Sequence, residues 1–219
     1  HYGTGLITTV ADGAITEAKL GSNAVTTAKI TDGTITNAKL ANSSVTVNGT
    51  SINLGASGTI SAGITEADVW RLTTSFSGGS ANITSNWERA DDASSGLLGT
   101  GMTQSSGAFS FPSTGIWSIR FTANYNANNT DDRAIKATIN ISSDSGSNYD
   151  LVSQSYTHIP DQSVGEVYSS STAGAFVDVT STSTFRALFG IASLQSNVNY
   201  LGSSTYNQTW VEFIRLGDT

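Results

Sequence analysis

Gly115-Ile116-Trp117-Ser118-Ile119-Arg120-Phe121-Thr122-Ala123-Asn124-Tyr125 decides the fold of this chain. Trp117, Ile119, Phe121, Ala123 and Tyr125 fall on every second position, with mostly small or polar residues between them. Successive side chains of an extended strand point to opposite faces, so a period of two describes a strand with one buried and one wet face. The pattern continues outward. Upstream, Trp70, Leu72 and Phe76 alternate with polar residues; downstream, Ile135, Ala137, Ile139 and Ile141 do the same. Then come Phe176-Val177-Asp178-Val179, the set Phe185, Ala187, Phe189 and Ile191, and the closing run Trp210-Val211-Glu212-Phe213-Ile214-Arg215-Leu216. Clusters of Gly, Ser, Asn and Asp between these segments suit turns, and no long stretch keeps a helical period.

The spacing predicts an all-β head over residues 66–219, an antiparallel β-sandwich of about eight strands, with a jelly roll as its specific form. Composition supports a real core there. Of 19 aromatic residues, 18 follow residue 65 and only Tyr2 precedes it. Four Trp, seven Tyr and eight Phe separate the chain from charge-rich disordered sequences, although 33 Ser and 30 Thr make it unusually rich in hydroxyls. Charged residues are only 12% of the total, against a globular average of about 25%. The net charge of -7 belongs to the head, with 7 basic against 14 acidic residues. A nucleic-acid partner needs a basic stripe, and none is present. No apolar run approaches the roughly 18 residues of a membrane span, so no membrane insertion is expected. The absence of Cys excludes disulfides, thiolate zinc sites and cysteine nucleophiles. No signal-peptide pattern is seen, and a start at His1 rather than Met suggests a processed or partial product.

Before the head lies a repeat. Ala11-Asp-Gly-Ala-Ile-Thr-Glu-Ala-Lys-Leu20, Gly21-Ser-Asn-Ala-Val-Thr-Thr-Ala-Lys-Ile30 and Thr31-Asp-Gly-Thr-Ile-Thr-Asn-Ala-Lys-Leu40 are three copies of one decapeptide, and a degenerate fourth follows. Only two sizeable apolar side chains recur per unit: Ile15 and Leu20, Val25 and Ile30, Ile35 and Leu40. Burial at about 25 cal/mol per Å² cannot offset an ordering cost of about 1–2 kcal/mol per residue when so little is buried. The unit therefore needs partners. Three copies around one axis would bring these six positions together as a stalk core, with Asp-Gly supplying the tight turn and Thr16, Thr26 and Thr36 each starting a short helical turn. Thus residues 1–48 read as a decapeptide-repeat stalk, and 49–65 as a hairpin with Asn48-Gly49 at its turn followed by a Gly-rich hinge. The trimeric stalk as a whole covers about residues 1–62.

The units Asp-Gly-x-Ile-Thr-x-Ala-Lys-Leu leading into Val47-Asn48-Gly49-Thr50 resemble the stems of bacteriophage tail-fibre and related virion fibre proteins. The resemblance covers about residues 11–60 and implies a homotrimeric shaft. In the head, Gly115–Phe121, Arg133–Ile139 and Thr209–Gly217 are similar to strands of complement-type, tumour-necrosis-factor-like (TNF-like) jelly rolls, which form trimers through apolar faces. The polar stretches 78–106 and 142–170 match no part of that pattern and are expected as long loops.

Several residues could carry chemistry. Ser142-Ser-Asp144-Ser-Gly146-Ser-Asn148-Tyr149 has the Asp-box form, a hairpin turn in which Asp caps backbone N–H groups and the aromatic tucks beneath. Asp144, Asn148 and Asp150 also present oxygens at alternate positions and are the candidate calcium ligands, although Ca²⁺ takes 6–8 oxygens and the others are not identifiable. No other cofactor is expected. Asp91-Asp92 and Asp131-Asp132 are paired carboxylates, but neighbours on one chain rarely reach glycosidase geometry, so solvated loop faces are expected. His158 has no nucleophile motif near it and is expected on the surface. Trp117 and Trp210 are expected in the core and Trp70 near the stalk junction. Trp87, flanked by Asn86, Glu88 and Arg89, is the Trp expected to meet a ligand or a neighbouring subunit.

Together these features describe an extracellular virion structural protein without enzymatic activity: a homotrimeric tail or capsid fibre. Its N-terminal end would join other virion proteins, and its head would attach to a host-surface glycan or other receptor. A tailspike-like polysaccharide depolymerase with a site between subunits is the first alternative. An extracellular filament or adhesin subunit is the second.

Overall fold

The computed structural model describes residues 9–60, 63–128, 131–161 and 165–219. His1, Tyr2 and part of the Gly-rich hinge lie outside the described residues. The chain forms two units, His1–Ser61 and Ala62–Thr219.

In the first unit the three decapeptides adopt one repeated conformation. Each opens with a turn closed by Ala14 N–H to Ala11 O at 3.0 Å, Ala24 to Gly21 at 3.0 Å and Thr34 to Thr31 at 3.1 Å. The third residue of each turn, Gly13, Asn23 or Gly33, has a positive φ of 76°, 62° or 80°, which Gly and Asn adopt at least cost. A single 3₁₀ turn follows at Glu17–Lys19, Thr27–Lys29 and Asn37–Lys39, with Thr16, Thr26 and Thr36 as N-caps in extended conformation. Their side chains make no cap hydrogen bond, so it is backbone geometry that starts the turn. The conserved spacing of Lys has a local use: Lys19 Nζ donates to Ala14 O at 2.6 Å and Lys39 Nζ to Thr34 O at 2.8 Å, tying turn to turn within a unit. After the repeats, β1 (Ser44–Val47) and β2 (Thr50–Asn53) form a hairpin. Asn48 and Gly49 have φ of 47° and 75°, the two positive angles a primed turn requires. A boundary between residues 48 and 49 therefore cuts this hairpin at its turn, and the hairpin belongs whole to the first unit.

The second unit is a two-layer antiparallel sandwich. Its strands are β3 (Ala67–Leu72), β4 (Phe76–Ser77), β5 (Ala81–Asn82), β6 (Trp87–Arg89), β7 (Thr103–Ser105), β8 (Ala108–Ser110) and β9 (Gly115–Asn128), followed by β10 (Asp132–Ser142), β11 (Asp150–Ile159), β12 (Glu166–Val179), β13 (Arg186–Ala192), β14 (Asn199–Tyr200) and β15 (Trp210–Gly217). One sheet runs β11-β10-β13-β8-β7, with β5 also on β13. The other runs β4-β14-β9-β15-β3-β6, with β12 paired along all of β9. The chain crosses between layers after β4, β5, β6, β8, β9, β11, β12 and β13, in a jelly-roll sandwich.

The opening stretch lies at its centre. Trp117, Ile119, Phe121, Ala123 and Tyr125 of β9 are all buried, facing Ile135, Ala137, Ile139 and Ile141 of β10 and Phe189 of β13. Aromatic rings fill the middle: Phe121 and Phe189 centroids lie 5.1 Å apart, Phe109 and Phe213 5.3 Å, Trp87 and Phe109 5.5 Å. Such contacts add about 0.5–1.5 kcal/mol each to area burial.

One part of the sequence pattern is corrected. Residues 142–170 are not one long loop but contain all of β11 and the start of β12. Each of these strands is paired on one side only, so the two sheets end together in a pair of long edges. Small hydroxyl side chains line the inner side there, and Thr157 Oγ1 lies 2.6 Å from Ser169 Oγ across the gap. Apolar alternation is therefore absent where the strands are long. Likewise β5, β6 and β7 interrupt the stretch 78–106.

Candidate functional site

The repeat unit leaves its apolar side chains without cover. Ile15, Leu20, Val25, Ile30, Ile35 and Leu40 are 57%, 48%, 54%, 39%, 51% and 42% exposed, and no residue of the three turns is buried. Between one unit and the next lies a hollow of about 230 Å³ lined by Thr27, Ile30, Asp32 and Ile35. A decapeptide ladder of this kind offers regularly spaced apolar knobs and gaps to a second chain.

In the head, the outward face of the seven-stranded sheet has the same character at its open edge. Strand register places Phe176, Ser118, Ile214 and Ala67 in one row across β12, β9, β15 and β3. The next row holds Gly174, Arg120, Glu212 and Val69, and the next Thr172, Thr122, Trp210 and Arg71. Phe176 is 77% exposed, with a hollow of about 300 Å³ beside it over Ser118, Arg120, Thr172 and Gly174. Arg120 is fixed rather than free. It donates to Glu212 at 3.0 Å and its guanidinium lies 5.0 Å from the Trp210 ring centre. Further along the same face, Tyr168 overhangs a second hollow with Asn124, Ser170 and Gln208. Its hydroxyl donates to Glu166 at 2.5 Å, and that hydrogen bond raises its pKa above the ordinary value.

Arg71 ends this face. The guanidinium is fully covered, bonded to Glu88 and Asp92 at 2.7 Å, to Asp91, and to Ser204 O at 2.6 Å. Burial opposes its charge, but the hydrogen bonds and field of Glu88 and Asp92 outweigh that effect and raise its pKa. Asp91 and Asp92 are thus not a free carboxylate pair; they anchor the loop after β6 to β3. On the inward side, buried Asp68 accepts from Arg89 Nε at 2.9 Å, Trp70 Nε1 at 2.9 Å and Met102 N–H at 2.8 Å, holding a second loop.

Other residues singled out from the sequence have structural posts. Trp87 is corrected: it is 7% exposed, ringed by Phe109, Phe121 and Phe189, and its Nε1 donates to Ile83 O at 3.0 Å, so it has no face for a ligand. Trp210 is also corrected, because it stands on the outward face of β15 while Val211 and Phe213 point into the core. Period two already separates Trp210, Glu212 and Ile214 from Val211 and Phe213, and by the same rule places Phe176 outside Val177 and Val179. Trp117 is buried as expected. Asp132 is not solvated; it is fully buried and accepts from Leu194 and Gln195 N–H at 2.8 and 2.9 Å and from Ala134 N–H at 3.0 Å. Asp131 and His158 are exposed.

Asp144 is the cap of its turn. Its carboxylate accepts from Asn148 N–H at 2.9 Å, Asn148 Nδ2 at 2.7 Å and Ser142 Oγ at 2.7 Å, and these bonds lower its pKa to about 2. Tyr149 packs under Gly146, where an added methyl would come 3.1 Å from the phenolic oxygen. Asn148 thus turns both its backbone and its side-chain N–H groups toward Asp144.

No protein-family model matches the chain, and no curated protein matches it in sequence. Similar folds are found among solved structures. The Eiger TNF structure from S. frugiperda superposes with a TM-score of 0.51 at 11% identity, over 72% of this chain and 96% of that one. Murine APRIL at pH 8.5 gives 0.47 at 10% identity, over 69% and 98%. The head has a TNF-like jelly-roll fold.

Proposed function

We propose that the chain is a subunit of a homotrimeric virion fibre that displays its β-sandwich head to a host surface. The observation that carries this is the register of six exposed apolar side chains, Ile15 to Leu40, on a repeat too thin to bury them itself. Three chains wound together would cover them, and the hollow beside Ile30 and Ile35 is where a neighbour's side chain would seat. The head supports the same symmetry through the Phe176 row and the open edges of β11 and β12, which invite packing against another copy. The phage-stem resemblance of the repeats suggests the particle, and extracellular attachment without catalysis suits a chain in which Asp91 and Asp92 are held by Arg71 and Asp132 caps backbone N–H groups. Three weak head sites on one stem would gain from effective concentration, so no single site needs high affinity.

Two experiments bear on this. Gold-labelled antibody against the chain should decorate fibres projecting from particles; labelling only of a soluble pool would contradict it. Labelled full-length protein should adsorb to host cells at least tenfold more tightly than an Ile30→Asp variant that no longer trimerises. Equal adsorption would remove avidity from the mechanism.

A further inference from the structure

The outward face of the six-stranded sheet carries a polar trough whose lining includes one cationic side chain. Strand register puts Thr138 of β10 beside Gly190 of β13 and Gly190 beside Asn82 of β5. Lys136 and Asn140 flank Thr138 on the same face, and the open trough along them has a volume of about 360 Å³. Gly190 is its floor. A methyl added there would lie 2.5 Å from Thr138 Oγ1, 3.1 Å from Asn82 Oδ1 and 3.6 Å from Asn140 Nδ2, so three polar side chains close in over a position with room for glycine alone.

Hydrogen-bonding capacity in the trough is only partly used. Asn140 Nδ2 donates to Thr138 Oγ1 at 3.2 Å and Leu188 O at 3.3 Å, while the Asn82 side chain makes no hydrogen bond among the described residues. Among the described residues Lys136, like Arg133 and Arg186, forms no ion pair, whereas Arg71, Arg89, Arg120 and Arg215 have carboxylate partners. Its ammonium instead lies 5.7 Å from the ring centre of Tyr156, which is 58% exposed on the neighbouring strand.

We infer that this trough binds an acidic saccharide, a hexose chain bearing a carboxylate, with Lys136 facing the carboxylate, Asn82, Thr138 and Asn140 meeting hydroxyls, and Tyr156 bordering the sugar face. Amide and hydroxyl side chains match vicinal hydroxyls as both donors and acceptors, and an exposed aromatic gives an apolar surface to a pyranose. A single cation in the lining of the trough, on a chain of net charge -7, suits a ligand with sparse negative charge rather than a polyphosphate. The inference rests on the attachment function proposed above and locates it on the sheet opposite the Phe176 face, so a trimer packed through that face would present three troughs outward.

The test uses full-length protein on an array of acidic bacterial-surface oligosaccharides and their carboxyl-reduced counterparts, together with adsorption to host cells. Wild type should bind acidic members, weaken with rising salt, and prefer them to the reduced forms. Lys136→Gln should bind the acidic members at least tenfold more weakly and abolish that preference. Asn82→Ala should weaken acidic and reduced members alike, with the melting temperature of both variants unchanged. Undiminished binding by both variants would overturn the trough while leaving attachment standing. So would cell adsorption by a wild type that binds no acidic member. Failure of the wild type to bind either oligosaccharides or cells would overturn both.

Discussion

Single residues in this head do their work by closing turns and filling the core. Asp144 is the sharpest case. Its three donors stabilise the ionised form, so its folded pKa lies below the unfolded value of about 3.9. The associated stability is present above pH about 4 and is lost as pH falls toward 2. An NMR titration of its carboxyl should give a midpoint near 2, and a midpoint above 3.5 would mean the cap is not formed. Trp87 belongs to the other class. Trp87→Ala should cost about 3–5 kcal/mol by denaturant unfolding, the range for emptying a packed aromatic site; a loss under 1 kcal/mol would place the ring outside the core. Its burial was not legible from Asn86, Glu88 and Arg89 around it. Glu88 is polar because it reaches Arg71, and Arg89 because it reaches Asp68, partners about twenty residues away in sequence. Asp132 misleads for a related reason, since a carboxylate taking three backbone N–H groups looks in sequence like any loop acid.

At the level of elements, legibility follows the wetness of each strand. β9, β10 and β15 each press one face on the core and the other on solvent or polar neighbours, and their alternation is plain in the sequence. β11 and the first half of β12 are long strands too, yet their inner residues at the narrow open edge are Ser153, Ser155, Thr157, Ser169 and Ser171, with Thr157 bonded to Ser169 and Ser171 to the Tyr125 hydroxyl. The hairpin β1–β2 was legible because Asn48-Gly49 permits little else. Phe176 shows what period two can and cannot say: it fixes the side of the sheet, but an aromatic on the outer side needs a reason beyond the chain itself. If that reason is a neighbouring copy, Phe176→Asp should leave the unfolding free energy of the head within about 0.5 kcal/mol, as for other surface positions. It should also raise the concentration at which the assembly dissociates at least tenfold. An unchanged dissociation curve would take this face out of the interface.

On the scale of the whole molecule, two units of contrasting economy share one chain. The second closes its own core; the first repeats a well-defined backbone conformation three times and buries almost nothing. Isolated turns with one or two hydrogen bonds each have little stability of their own, and under the proposed function the order of the first unit comes from association. Every functional step argued above, from covered ladder to clustered heads to gain in avidity, depends on that association. Sedimentation equilibrium of the full-length chain measures it directly. The expected result is a single species at about three times the 22.7 kDa of one chain, shifting toward one chain in Ile15→Asp/Ile30→Asp. A wild-type species that stays at 22.7 kDa at micromolar concentration, with the repeats folded, would contradict the account.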